Sequence, residues 1–114
     1  MDRSPKPQAP DAFFAADIRV GRVLAVEPFP EARRPACKLT VDFGELGTRR
    51  TSAQVAHYPA EQLAGRLVVC ATNLGTKRIA GFPSEFLLLG AIGEDGVVRL
   101  LAPDDGAAPG DPIA

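Results

Sequence analysis

A chain of 114 residues holds one hydrophobic core and not two, and 46% apolar with 24% charged residues is the composition of an ordinary globular domain. A net charge of −1 argues against a protein built only to grip polyanions, and no apolar run approaches the roughly 18 to 20 residues that span a bilayer. Cys37, Cys70 and His57 are too few and too scattered for zinc, which takes about four protein ligands at a structural site and three plus water at a catalytic one. Cys70, inside Leu-Val-Val-Cys-Ala, reads as a small buried hydrophobe, while Lys38 beside Cys37 would lower that thiol's pKa slightly.

The Pro-rich residues 1–10 have no apolar signal-peptide core and read as a flexible arm, so a cytoplasmic protein is expected. Residues 11–114 form the domain. Asp11 is placed to cap a helical turn over 12–16, whose Phe13 and Phe14 need cover from the domain or a second copy. Along the first strand Ile18, Val20 and Val23 point inward and Arg19 and Arg22 outward, with a slip in phase at Gly21 that predicts a bulge. Pro28 and Pro30 end it, and Glu31 to Pro35 is an exposed loop.

Residues 38–43 alternate, with Leu39, Val41 and Phe43 on one face. Gly44 to Gly47 turns the chain, and 49–55 returns with Arg50, Ser52 and Gln54 on one side and Arg49, Thr51, Ala53 and Val55 on the other. Pro59 opens a short helix over 60–64 that Gly65 stops. Residues 67–71 and 86–89 read as strands apolar on both sides. Only one face of a small barrel strand looks into the core, so the outer face predicts a cover, a second subunit among the candidates. Asp95-Gly96 turns into a last strand over 97–101, followed by a Pro/Gly/Asp tail with Ile113 as an anchor.

Short strands with one helix after the third predict an all-β OB-fold, a five-stranded Greek-key barrel with a small N-terminal helical turn. Between the two apolar strands lies Asn73 to Glu85, a stretch that gathers an amide, two adjacent cations, two glycines, a hydroxyl and a carboxylate. Such a connection is a candidate for binding. Residues 17–78 carry ten Lys/Arg against six Asp/Glu, and residues 79–114 one against six, which predicts a basic face and an acidic rim. His57 has no acid or nucleophile beside it in a recognisable motif and reads as a cap of the strand-to-helix turn. Glu61 reads as helix N-terminal charge, and 44–47 lacks the Lys-Ser/Thr of a phosphate loop. Neither catalysis nor a metal or cofactor is expected.

Several phrases in one order resemble the tRNA-binding domain family. They are Asp17-Ile18-Arg19-Val20-Gly21, Leu39-Thr40-Val41-Asp42-Phe43-Gly44, Tyr58 to Gly65, Asn73-Leu74, Lys77-Arg78 and Gly81-Phe82-Pro83-Ser84-Glu85. The family includes domains appended to methionyl- and phenylalanyl-tRNA synthetases, EMAP-II-like proteins and the free-standing CsaA type, an export-related chaperone. Phe29-Pro30-Glu31-Ala32-Arg33, Ser52-Ala53-Gln54 and Ser84-Glu85 are most similar to the CsaA type. The resemblance covers 11–114 and implies an OB-fold, a homodimer, and binding of tRNA, of unfolded export precursor polypeptides, or of both, with the export machinery as a further partner.

An OB-fold binds nucleic acid across a strand face, with cations on phosphate and aromatics against bases. The candidate cations are Arg33, Arg34, Lys38, Arg49, Arg50, Lys77 and Arg78. Ser52, Gln54, Asn73 and Ser84 are candidates for hydrogen bonds to base edges or ribose hydroxyls, and Phe82 for stacking, with Phe29 second. Glu85-Phe86 replaces the glycine-methionine pair of many family members and sets a carboxylate, unfavourable to phosphate, at the groove. Ile79 and Phe82 beside these charges equally suit an extended peptide. Phe13 and Phe14 are the candidate dimer contacts. A chaperone with no RNA ligand and a scaffolding OB domain are the alternatives.

Overall fold

The computed structural model describes residues 2–114; residue 1 of the expected arm lies outside the described residues. A helix α1 (Pro10–Ala15) precedes the long strand β1 (Ile18–Pro28). Then follow β2 (Cys37–Asp42), a 3-10 turn at Gly44–Leu46, β3 (Thr48–Ala53), α2 (Ala60–Leu63) and β4 (Leu67–Ala71). Two short strands, β5 (Lys77–Ile79) and β6 (Phe82–Ser84), pair with each other. The chain ends with β7 (Leu87–Leu88), β8 (Gly90–Ile92) and β9 (Val98–Leu100).

The main sheet runs β3-β2-β1-β4-β7, every pairing antiparallel. It curls until the segment before β7 meets β3: Glu85 N–H donates to Arg50 O and Arg50 N–H to the Glu85 carboxylate, each at 2.9 Å. These contacts join the outer strands, and the result is the five-stranded OB barrel that the sequence predicts.

One strand serves two neighbours. β1 pairs with β4 through Ile18–Arg22 and with β2 through Arg22–Pro28. Gly21 lies just before this crossover, where a Cβ would stand 2.4 Å from Val41 Cγ1 and 2.9 Å from Phe43 Cε1. The glycine is there for close packing. The expected bulge falls elsewhere, in the register shift between Val23 and Ala25. β2 alternates as predicted, with Cys37, Leu39 and Val41 inside and Lys38, Thr40 and Asp42 outside.

Val23, Leu39, Val41, Val55, Val68, Cys70, Phe43 and Phe86 fill the interior, the last two edge to face at 5.0 Å between centroids. Leu63, the one fully buried side chain of α2, joins them. Pro59 precedes this helix as its N-cap residue instead of opening it. Asp11 likewise lies within the first turn of α1, where Ala9 holds the cap position without a side-chain bond.

β4 is apolar on both sides, yet Val69 and Ala71 as well as Val68 and Cys70 are buried by the same chain, so this strand needs no second subunit as a cover. The last apolar run is a strand only over Leu87–Leu88, where Phe86 points in and Leu87 stays 52% exposed. The tail from Gly110 to Ile113 lies against the first half of β1: Gly110 N–H donates to Val20 O at 2.8 Å, Val20 N–H to Asp111 O at 2.9 Å and Ile113 N–H to Ile18 O at 2.9 Å. His57 does not cap its own turn; its Nε2 meets Val98 O at 2.8 Å, tying the β8–β9 hairpin to the barrel, and Tyr58 OH accepts Leu100 N–H at 3.0 Å.

Candidate functional site

The Asn73–Glu85 stretch is not one open loop. Its second half folds into the β5–β6 hairpin, with Lys77 opposite Ser84, Arg78 opposite Pro83 and Ile79 opposite Phe82. The turn needs two positive φ angles, met by Ala80 at 47° and Gly81 at 81°, as two-residue hairpin turns of the primed type require. Ala80 is the one non-glycine residue with positive φ among the described residues. Arg78 Nη1 donates to Gly81 O at 2.9 Å across this turn.

The hairpin stands as one wall of a groove of about 950 Å³. Ser52 and Gln54 of the β3 end form its floor, and Arg33 and Arg34 of the loop after β1 face it. Lys77, Arg78 and Ser84 line it from the hairpin. Thus seven of the predicted residues, from three separate parts of the chain, meet here. None of the four cations is paired with a carboxylate among the described residues. The apolar part of the lining includes Leu74, Ile79 and Leu87. Neither Leu74 nor Leu87 is among the predicted binding residues, although Leu74, set in a polar loop, is itself a signal for a binding surface.

The other predicted residues do different work. Asn73 is a clasp: its Oδ1 accepts Asp17 N–H at 2.7 Å and its Nδ2 donates to Ala15 O at 2.9 Å, fastening the end of α1 to the end of β4. Arg49 lies over the Phe43 ring at 5.9 Å and donates to Thr72 O at 2.9 Å, so it caps the barrel. Glu85 is not part of the groove lining: its carboxylate accepts the Arg50 backbone N–H beside the groove, where it keeps its charge.

Phe82 is 8% exposed and cannot serve as an open stacking surface. It packs edge-on to Phe29, itself buried, at 5.6 Å. Lys38 Nζ lies 4.8 Å from the Phe29 centroid and 4.9 Å from that of Phe82, and the Arg50 guanidinium lies 4.9 Å from Phe82. The aromatic pair is a platform for cations. Lys38 and Arg50 therefore sit outside the groove lining, on the adjoining outer face of the sheet.

Ser84 lines the groove and also builds it. Ser52 N–H donates to Ser84 Oγ at 3.2 Å, Ser84 Oγ lies 2.6 Å from Thr51 Oγ1, and Thr51 Oγ1 donates to Phe86 O at 2.7 Å. With Thr51 donating to the carbonyl, Ser84 must donate to Thr51, and the chain of bonds runs in one direction from Ser52 through Ser84 and Thr51 to the Phe86 carbonyl just beyond the hairpin.

Phe13 and Phe14 lie away from all this, edge to face at 5.5 Å on α1, with Phe14 80% exposed. Burial raises the pKa of both cysteines, that of Cys70 to about 12, and this overrides any lowering of Cys37 by Lys38. No group of residues that could hold a metal occurs among the described residues, and no helix there is long and apolar enough to cross a membrane.

A family described as "Putative tRNA binding domain" matches residues 18–112. The chain belongs to the tRNA-binding domain family. Among solved structures it is similar to the CsaA chaperone protein of Picrophilus torridus, at 43% identity and a TM-score of 0.89, over 95% of this chain and all of that one. The chaperone CsaA of Bacillus anthracis str. Ames gives 42% identity and a TM-score of 0.90, over 96% of this chain and again all of the other. Methionine–tRNA ligase 1 of Sorangium cellulosum is 42% identical over 88% of the chain, which spans only 14% of that relative's length. The resemblance read from the sequence holds for the family and for its CsaA-type branch.

Proposed function

We propose that this chain is a non-catalytic tRNA-binding protein of the CsaA type, and that its ligand lies in the groove between the β5–β6 hairpin and the Arg33–Arg34 loop. The observation that carries this is the convergence of Arg33, Arg34, Lys77 and Arg78, unpaired with any carboxylate among the described residues, around the polar floor of Ser52 and Gln54. Their electrostatics favour phosphate although the whole chain is slightly acidic. With Phe29 and Phe82 buried, stacking on aromatics is weak here. Recognition rests on phosphate contacts and on the shape of a folded RNA, with Gln54 and Ser52 available to base edges or 2′-hydroxyls.

A second reading shares the groove. Leu74 and Leu87 are exposed beside the cations, a combination that suits an extended, unfolded polypeptide, in the cell an export precursor. The similarity to two proteins described as chaperones supports it. A homodimer would present two such grooves and raise the avidity for either ligand.

Fluorescence anisotropy with bulk tRNA and a reduced, unfolded polypeptide, each at low and moderate salt, tests both readings. Binding of tRNA should weaken steeply with salt, and the double substitution Lys77→Ala, Arg78→Ala should lower affinity at least tenfold while flattening the salt slope by about two. Binding of the polypeptide alone, indifferent to that substitution, would leave only the chaperone reading.

A further inference from the structure

Beyond the groove the structure shows a second cationic station and a carboxylate that covers half of it. We infer that Lys38 and Arg50 form an additional phosphate-contact site, continuous with the groove, and that Glu27 masks it by occupying the Arg50 guanidinium. The inference rests on the RNA-binding reading above.

Register places the station. Lys38 is the cross-strand partner of Ser52 and Thr40 that of Arg50, so Lys38, Ser52 and Arg50 share the outer face of neighbouring strands. Ser52 lines the groove, and the surface passes from the groove through Ser52 directly to the two cations. Both heads are held over one buried ring, Phe82, at 4.9 Å each, and Lys38 over Phe29 as well. Long cationic side chains on a solvent face ordinarily lose rotamer freedom on binding. Here the rings have already taken part of that loss.

Two like charges over one ring repel, and a neighbouring anion is the natural remedy. Glu27 supplies it for Arg50 only, with Oε1 at 3.3 Å from Nη2. Glu27 is on β1, whose register partner on β2 is Lys38, so its side chain crosses β2 to reach a residue two strands away. Both partners are partly open to solvent, with 57% and 43% of their side chains exposed. Such a pair is weak and exchangeable. The Glu85 carboxylate accepts the Arg50 backbone N–H, and Asp42 is turned to Gly44 N–H at 2.8 Å. Glu27 is thus the single carboxylate paired with this guanidinium among the described residues.

An RNA phosphate that takes the Nη2 side of Arg50 displaces Glu27, and salt, which screens this exposed pair, makes the displacement easier. Release of the cation from the phosphate lowers affinity as salt rises while the weakening mask raises it, and the contact's share of the salt dependence is blunted. Removing the carboxylate restores that share in full.

The test is a salt titration of tRNA binding with the full chain, its Glu27→Gln and Arg50→Gln variants and the combined variant, each first checked for an unchanged unfolding temperature. Glu27→Gln should bind about two- to fivefold tighter at low salt and steepen the slope of log affinity against log salt by up to about one. In the Arg50→Gln background the same substitution should do neither, since a general change in net charge would persist there and a direct masking contact would not. Equal affinity and slope for wild type and Glu27→Gln would overturn the mask, as would a gain that survives in the Arg50→Gln background. With Lys77→Ala, Arg78→Ala run alongside, loss of binding in that variant combined with silence at Glu27 would defeat the mask and spare the groove. A wild-type chain that binds no tRNA would end both.

Discussion

Thr51 shows how little separates a binding residue from a structural one. Arg50, Ser52 and Gln54 face out while Thr51 between them is buried at 1% exposure, and its hydroxyl bridges Ser84 to the Phe86 carbonyl. Thr51→Val keeps the shape and strands a buried carbonyl and a serine hydroxyl. We expect a loss of about 1–3 kcal/mol in stability, read from urea unfolding, with weaker ligand binding because the hairpin root loosens. Period-two alternation assigned Thr51 to the inner face correctly. It could not show that the hydroxyl has a partner, since Phe86 is 35 residues away.

At the level of elements, the hydrophobic pattern made most of the barrel legible. β2, β3 and β4 sit where alternation or a β-branched run placed them, and the hairpin turns fell on their glycines. The β5–β6 hairpin was missed because Lys-Arg-Ile and Phe-Pro-Ser are three-residue strands with a proline in one of them, too short for any period to register. The same shortness hid the true place of Phe82, which looks like an exposed stacker in a polar loop and is instead wedged against Phe29. Asn73 was legible as important, but its hydrogen bonds to residues more than fifty positions away were not. Its two hydrogen bonds to Asp17 N–H and Ala15 O hold α1 to the barrel, so Asn73→Ala should speed amide exchange across residues 10–17 while leaving exchange in β2 and β3 near its original rate. Uniformly faster exchange would mean that the clasp supports the whole fold.

For the molecule as a whole, the unresolved balance is between what the chain buries itself and what it leaves to others. β4 is covered from within, yet Phe13 and Phe14 remain out in the solvent on a helix with no buried residue. That exposure is the ground on which we propose a homodimer through α1. Sedimentation analysis should find a dimer for the wild type and a monomer for Phe14→Asp at the same concentration, with the unfolding profile of the monomer fraction otherwise intact. A wild-type monomer at tens of micromolar would remove the dimer and the avidity argument with it. The charge split along the sequence predicts a basic face that the net charge near zero does not show, and folding gathers it: the four cations of the groove converge from a loop and a hairpin distant in sequence, which turns a mild excess of ten over six into a local field.

The tail that lies along β1 has a further consequence. Ile113 N–H meets Ile18 O, so residue 114 lies beside the first residues of the barrel. Gly44 and Gly110 pack so tightly at the other end of this contact that a Cβ on either would strike a backbone carbonyl, Pro109 O at 2.5 Å or Phe43 O at 2.7 Å. The closed ring of strands is therefore nearly a closed loop of chain as well. A few glycines could join 114 to 17, and new ends could be opened at the exposed Glu94–Gly96 turn, which lies between two strands that pair locally. Such a circular permutant of residues 17–114 would lack α1 and keep every strand pairing and both groove walls.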